Sequence, residues 1–422
     1  MVSGRQASAS PAWAADGLPV VAADIEAAAA AIEGRILRTP TALSRTLSEI
    51  TGATVVVKFE NFQFTASYKE RGALNRLLRL SPDERRRGVV VASAGNFAQA
   101  VAYHAGLEGV PATIFMPVTT PATKVTRTSA FGAEVRLVGA DFDEAVAHAV
   151  KLADDEGQVY LSPYDDAMVI AGQGTVALEL LDDAPDLDAL VVPVGGGGLL
   201  GGMAVACRAR CPGIELVGVQ AESHAAMVAA LYGRSTTTNR VTATTIADGI
   251  AVKQPGLLTR RLLHELVDDV VTVSEPRIEE AVCLYLEVEK VVAEGAAAAG
   301  LAALLEHPDR FRGRRVGLVL TGGNIDLRLL ASVVTRGLMR SGRLATVRIE
   351  VPDMPGALAG LTRAIGEHGA NIVEVSHRRT LLAVPSRAVV VEAVLETKGP
   401  EELDAVVAAL TADGHTVTVL PE

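Results

Sequence analysis

Val192-Pro193-Val194-Gly195-Gly196-Gly197-Gly198-Leu199-Leu200-Gly201-Gly202 runs from an apolar, β-branched stretch through four consecutive glycines towards an apolar helix. Glycine has no side chain to keep a ligand off the backbone, and it accepts the φ values that turn several N–H groups to one side. The stretch therefore reads as an anion cradle between a buried strand and a helix start. Gly196, Gly198 and Gly201 also satisfy G-x-G-x-x-G, and Glu222 lies about 20 residues beyond, where a dinucleotide fold places its ribose-binding acid. Such a fold carries its fingerprint after the first strand, whereas this one falls near mid-chain.

Outward from the cradle, Val20 to Leu338 alternates short apolar runs, small-residue turns and amphipathic Ala/Leu/Glu stretches. This is βα alternation, and it predicts an α/β fold. Strands are expected at Thr54–Phe59, Gly88–Ala92, Ala112–Met116, Glu134–Leu137, Ala189–Val194, Glu215–Gln220 and Val316–Leu320. Several are apolar without alternation, as parallel strands covered on both faces are. Ligands of such sheets lie beyond the carboxyl ends of the strands.

The periodicity changes after residue 340. Residues 1–18, rich in small residues, read as a tail, 19–340 as the main domain, 341–344 as a linker and 345–422 as a second domain. The last of these reads strand (Ala345–Val351), helix (Ala357–His368), strand (Asn371–Arg379), strand (Arg387–Glu396), helix (Glu401–Ala412), strand (Thr416–Leu420), a βαββαβ unit of ferredoxin-like type.

A net charge of −11 repels phosphate backbones and anionic membranes, which points to small-molecule partners. No run approaches the roughly 18 apolar residues a spanning helix needs. Cys207, Cys211 and Cys283 form no C-x-x-C pair, and the odd count fits a reducing, cytoplasmic setting.

Three further segments carry candidate chemistry. Ser67-Tyr68-Lys69-Glu70-Arg71-Gly72-Ala73 puts a lysine at a helix start, where the positive end of the helix dipole favours the neutral amine; a solvated surface lysine is the bland alternative. Ser93-Ala94-Gly95-Asn96 lies between a strand end and a helix start and suits a carboxylate, or serves only as a helix cap. Thr321-Gly322-Gly323-Asn324 follows an apolar strand, with Thr321 free to meet a heteroaromatic nitrogen or to cap the next helix.

In this order and spacing the four segments resemble the threonine dehydratase and serine racemase branch of the fold type II pyridoxal phosphate enzymes. Ser162-Pro163-Tyr164-Asp165-Asp166, Ala171-Gly172-Gln173-Gly174-Thr175 and Ala247-Asp248-Gly249-Ile250 extend the resemblance. It implies a two-lobed catalytic domain, the smaller lobe roughly 60–165, with pyridoxal 5′-phosphate bound to Lys69 as a Schiff base. It further implies that Asn96 meets the cofactor's phenolic oxygen, and that Gly195, Gly196, Gly197, Gly198 and Leu199 hold its phosphate. Thr321 falls at the pyridine nitrogen, while Ser93, Ala94, Gly95 and Asn96 take the substrate carboxylate. The implied reaction is β-elimination from L-threonine, with L-serine as a secondary substrate, Lys69 removing the Cα proton.

Racemases of this branch place a second acid/base at the residue that is Ala94 here, so racemisation is disfavoured. Their divalent metal positions match Gln220, His224 and Ala226, a poor set for a hard cation, and no metal is expected. Phe97 stands where the family often has histidine. The terminal unit resembles an ACT regulatory domain, and its Asp353-Met354-Pro355-Gly356 turn is the expected place for an amino acid effector. A homodimer or homotetramer is expected. A dinucleotide dehydrogenase leaves Lys69 and Thr321 unexplained, and a cofactor-free amino acid sensor leaves the intact lysine and glycine loop unexplained.

Overall fold

The expected strands form where β-branched residues can be buried on both faces. All four residues of Val89–Ala92 and all five of Ala189–Pro193 are buried. The computed structural model describes residues 17–233, 244–378 and 388–420. Most of the expected tail lies outside these. The chain divides into two units, Met1–Ile325 and Asp326–Glu422.

In chain order the first unit holds β1 (Thr41–Ser44), β2 (Thr54–Phe59), β3 (Val89–Ala92), β4 (Ala112–Met116), β5 (Glu134–Leu137), β6 (Val159–Tyr160), β7 (Ala189–Pro193), β8 (Glu215–Ala221), β9 (Asp269–Val273) and β10 (Arg315–Leu320). Six of them make one sheet in the order β1-β2-β10-β7-β8-β9, parallel except for β1 at the edge. β5-β4-β3-β6 make a second, wholly parallel sheet. The larger core packs residues such as Leu190, Val192 and Met203; the smaller packs Val89, Val91, Phe97 and Ile114.

This order positions the site. β2, β10 and β7 are neighbours, so the segments that leave their carboxyl ends, carrying Lys69, Thr321 and the four glycines, lie side by side. Ser93–Asn96 leaves the carboxyl end of β3 in the other sheet.

The second unit contains β11 (Leu344–Pro352), β12 (Asn371–Arg378), β13 (Ala388–Glu396) and β14 (Thr416–Val419), an antiparallel sheet in the order β12-β13-β11-β14. β11 alternates between buried and more exposed residues because helices cover one face only, with Leu361, Ile365, Val406 and Leu410 closing the core. The helix Leu327–Arg340 groups with this unit, where the sequence reading ended the first domain at 340. Arg379 and Arg387, read as strand ends, lie outside the described residues.

Candidate active site

Lys69 opens the helix Lys69–Leu78, as expected. Its partly buried Nζ donates to the Pro163 carbonyl at 2.9 Å and lies 5.1 and 5.7 Å from the ring centres of Tyr68 and Phe97. Burial lowers its pKa to about 8, against the pull of Glu294. Loss of water around the charge therefore dominates, where the sequence reading credited the helix dipole.

A buried charge network holds this helix in place. The fully buried Arg71 guanidinium spans both oxygens of Glu60, at 2.8 and 2.7 Å, and reaches Glu179 at 2.7 Å. Lys58, also fully buried, donates to Glu179 at 2.6 Å and to the Thr39 carbonyl at 2.7 Å. Burial pushes the Glu60 carboxyl up, but Arg71 and Thr39 outweigh it and hold it below its usual range.

The glycine segment forms the cradle. Gly197 caps the helix Gly198–Arg210 with φ 94°, a left-handed conformation. A Cβ at Gly196 would come within 2.1 Å of the Tyr164 ring. Among the described residues none of the amides from Gly195 to Leu200 has a protein acceptor, although Gly196 to Leu200 are buried. So many orphaned amides in one turn suit an anion. A smaller set occurs at the start of the helix Asn96–Glu108. There Ser93 Oγ accepts from Gly95 N at 3.3 Å, while the amides of Ala94, Asn96, Phe97 and Ala98 have no acceptor among the described residues.

Thr321 is buried beyond β10, its carbonyl accepting from Tyr68 N at 3.1 Å. Its hydroxyl has no partner among the described residues and does not cap a helix, since Asp326 caps Leu327–Arg340. Asn96 donates from Nδ2 to Glu294 Oε1 at 2.7 Å and accepts at Oδ1 from Asn324 Nδ2 at 2.9 Å. The amide's orientation is thus fixed at both ends, with one N–H left over.

Glu294 was not singled out from the sequence. It is buried at the N-cap of the helix Gly295–Glu306. Burial, with Asp248 nearby, raises its carboxyl to about 7 against the opposing influence of Asn96, Lys124 and Lys69. The only sequence signal was an acid placed just before an Ala-rich helix. Phe97, whose position left substrate contacts open, belongs to the smaller core. Gln220 is also internal, its amide donating to the Val194 carbonyl and accepting from Val228 N.

Residues 32–322 match the family model described as pyridoxal-phosphate dependent enzyme, and residues 345–412 match that of the ACT domain. The chain belongs to the pyridoxal-phosphate dependent enzymes and carries an ACT domain after its catalytic part. It is 44% identical to an L-threonine ammonia-lyase of Thermotoga maritima over 94% of this chain and 98% of that one. The identity to an L-threonine ammonia-lyase of Geobacter sulfurreducens is 42%, over 92% and 96%. Among solved structures it is similar to the processed form of threonine deaminase isoform 2 from Solanum lycopersicum, at 33% identity and TM-score 0.69 over 74% of this chain and 86% of that one. Maize serine racemase matches at 32% and 0.70 over 76% and 99%.

The residues present fit pyridoxal phosphate. A cradle of orphaned amides suits the phosphate, a lysine amine with a lowered pKa suits the aldehyde, and a buried hydroxyl and a fixed amide N–H suit the ring's polar atoms. No helix among the described residues is long and apolar enough to cross a membrane.

Proposed function

We propose that the chain is a threonine ammonia-lyase, converting L-threonine to 2-oxobutanoate and ammonia, with L-serine as a secondary substrate. The observation that carries this reading is the pairing of two sets of orphaned amides, one on each sheet, with Lys69 as the amine of the same site. The names of the most similar relatives point the same way.

Gly195 to Gly198 and Leu199 would hold the cofactor phosphate, Lys69 its aldehyde carbon, Asn96 its phenolic oxygen and Thr321 its ring nitrogen. When bound, the cofactor supplies an electron sink for the electrons released at the substrate's Cα. The turn from Ser93 to Asn96 takes the substrate carboxylate, on the free amides of Ala94 and Asn96. The Lys69 amine removes the proton from Cα, a role helped by a pKa of about 8. Ala94 supplies no second proton-transfer group, so Cα is not reprotonated from another face and the β-hydroxyl is lost instead. The hydroxyl of Thr321 is neutral, which keeps the sink mild and favours prompt elimination.

The ACT domain is the seat of an amino acid response, with Asp353, Pro355 and Gly356 at its effector turn. Gly356 there takes φ 89° at the start of the helix Ala357–Glu367. The three cysteines are free, in keeping with a reducing cytoplasm, and the working form is a homodimer or homotetramer. The test is direct: the purified protein shows a visible cofactor band and releases 2-oxobutanoate from L-threonine faster than pyruvate from L-serine. Lys69→Ala loses the band and the turnover but stays folded. A colourless protein that releases no ammonia, or a Lys69→Ala enzyme of unchanged rate, refutes the reading.

A further inference from the structure

Ser162-Pro163-Tyr164-Asp165-Asp166 brings the Pro163 carbonyl to Lys69 and the Tyr164 ring to Gly196. The Asp165 carboxylate accepts three amides of the helix Leu257–Leu266, from Leu257 at 3.0 Å, Leu258 at 2.9 Å and Thr259 at 3.2 Å. These are the groups a helix start leaves without partners, and an acid from a remote segment meets them here. Any Cβ at Gly256 would lie 2.2 Å from Asp165 Oδ1, so this capping residue lets the acid approach closely.

Held this way, the helix delivers Thr259, fully buried, to the glycine loop. Its Oγ1 donates to the Gly196 carbonyl at 2.6 Å and has a longer contact with the Gly256 carbonyl at 3.3 Å. The Tyr164 ring closes the other side of Gly196. A four-glycine loop is conformationally free by itself, and peptide planes that rotate would disperse the amides of Gly195 to Leu200. Occupying the Gly196 carbonyl fixes the peptide plane that carries the Gly197 amide.

We propose that Thr259, set in place by Asp165, is a positioning residue that fixes the glycine loop in the form that receives the cofactor's phosphate. The role rests on the assignment of that loop to the phosphate under Proposed function. It predicts an effect confined to ligands that carry a phosphate.

The experiment compares dissociation constants of pyridoxal phosphate and of pyridoxal, which lacks the phosphate, for the full-length protein. Wild type is compared with Thr259→Val, Thr259→Ser and Asp165→Asn, each first checked for a wild-type circular dichroism spectrum. Thr259→Val removes one buried hydrogen bond and is expected to weaken pyridoxal phosphate roughly tenfold while leaving pyridoxal unchanged. Thr259→Ser keeps the hydroxyl and restores the affinity. If Thr259→Val does not fold, Asp165→Asn, which keeps one acceptor oxygen at the helix start, carries the test with the same selective loss expected. Equal weakening of both ligands, or of neither, overturns the positioning role. A wild type that binds both ligands equally well would instead remove the phosphate from the glycine loop, a different failure.

Discussion

Glu294→Gln separates geometry from charge at the centre of the site. Glutamine keeps an acceptor oxygen for Asn96 Nδ2, now 2.7 Å from the carboxylate, but it cannot ionise. Raising a carboxyl from 4.5 to about 7 costs its ionised form roughly 3 kcal/mol, at about 1.4 kcal/mol for each tenfold change in proton affinity. Below 4.5 the group is protonated whether the chain is folded or not, and no cost arises. Between 4.5 and about 7 the unfolded chain gives up its proton while the folded one keeps it, so stability falls as the pH rises. Above that window the full cost is present. The mutant should therefore be the more stable protein at pH ~8, by up to roughly 3 kcal/mol, and gain little at pH ~5. Urea unfolding midpoints of the cofactor-free protein at the two pH values measure this. An equal offset at both, or a mutant less stable at pH ~8, refutes the assignment of a strained buried carboxyl. Loss of turnover alongside the gain would mark Glu294 as a charge retained for function at the expense of stability.

The Lys69 amine, lowered to about 8, becomes neutral as the pH climbs through that value, so cofactor capture by the cofactor-free protein should accelerate over the same range. A rate that is flat or falls would contradict the lowered pKa. Arg71→Leu strands the buried Glu60 and should cost roughly 3–5 kcal/mol in a denaturant melt; a loss below about 1 kcal/mol would show that the network is not what anchors the Lys69 helix. Ending the chain after Arg343 should preserve turnover and abolish any response to branched-chain amino acids, and a retained response would move the effector site out of the ACT domain.

The strands that frame the site were legible because double-sided burial makes them continuous apolar runs. β2, β4 and β5 begin and end where the sequence places them, and β3, β7, β8 and β10 differ by one residue at an end. The strands that were not foreseen are short or weakly buried, a class that also includes β5, which was foreseen although none of its residues is buried. β1 is a four-residue antiparallel edge with only Ser44 buried, β6 has two residues, and β9 is an edge strand with polar residues at Asp269 and Thr272. Lys69, the glycines, Asn96 and Thr321 could be singled out as candidates because they sit in strand-to-helix turns of recognisable composition. Glu294 and Thr259 could not, and Asp165 stood only within a resembling segment without a role of its own, because each acts through a partner distant in sequence. Asp165 meets Thr259 94 residues away, and Asn96 meets Glu294 198 residues away. Local pattern carries no record of such pairings.

Fold similarity alone does not decide between elimination and racemisation, since maize serine racemase and the tomato threonine deaminase match this chain about equally well. The decision lies with single side chains. Racemisation needs a proton to leave one face of Cα and another to arrive at the opposite face, hence two groups that exchange protons. Lys69 is the group proposed for one face, with a pKa of about 8 that suits both capture and release near neutrality. The residue that the family resemblance sets opposite is Ala94, whose methyl packs against the smaller core and offers no exchangeable proton. Glu294 titrates in a useful range, but its Oε1 is engaged by Asn96 and sits where a Cβ on Gly322 would be 2.5 Å away, beside the Thr321 strand end. If, as proposed, Lys69 is the one group that exchanges protons at Cα, electrons released there have one productive exit, the β-hydroxyl.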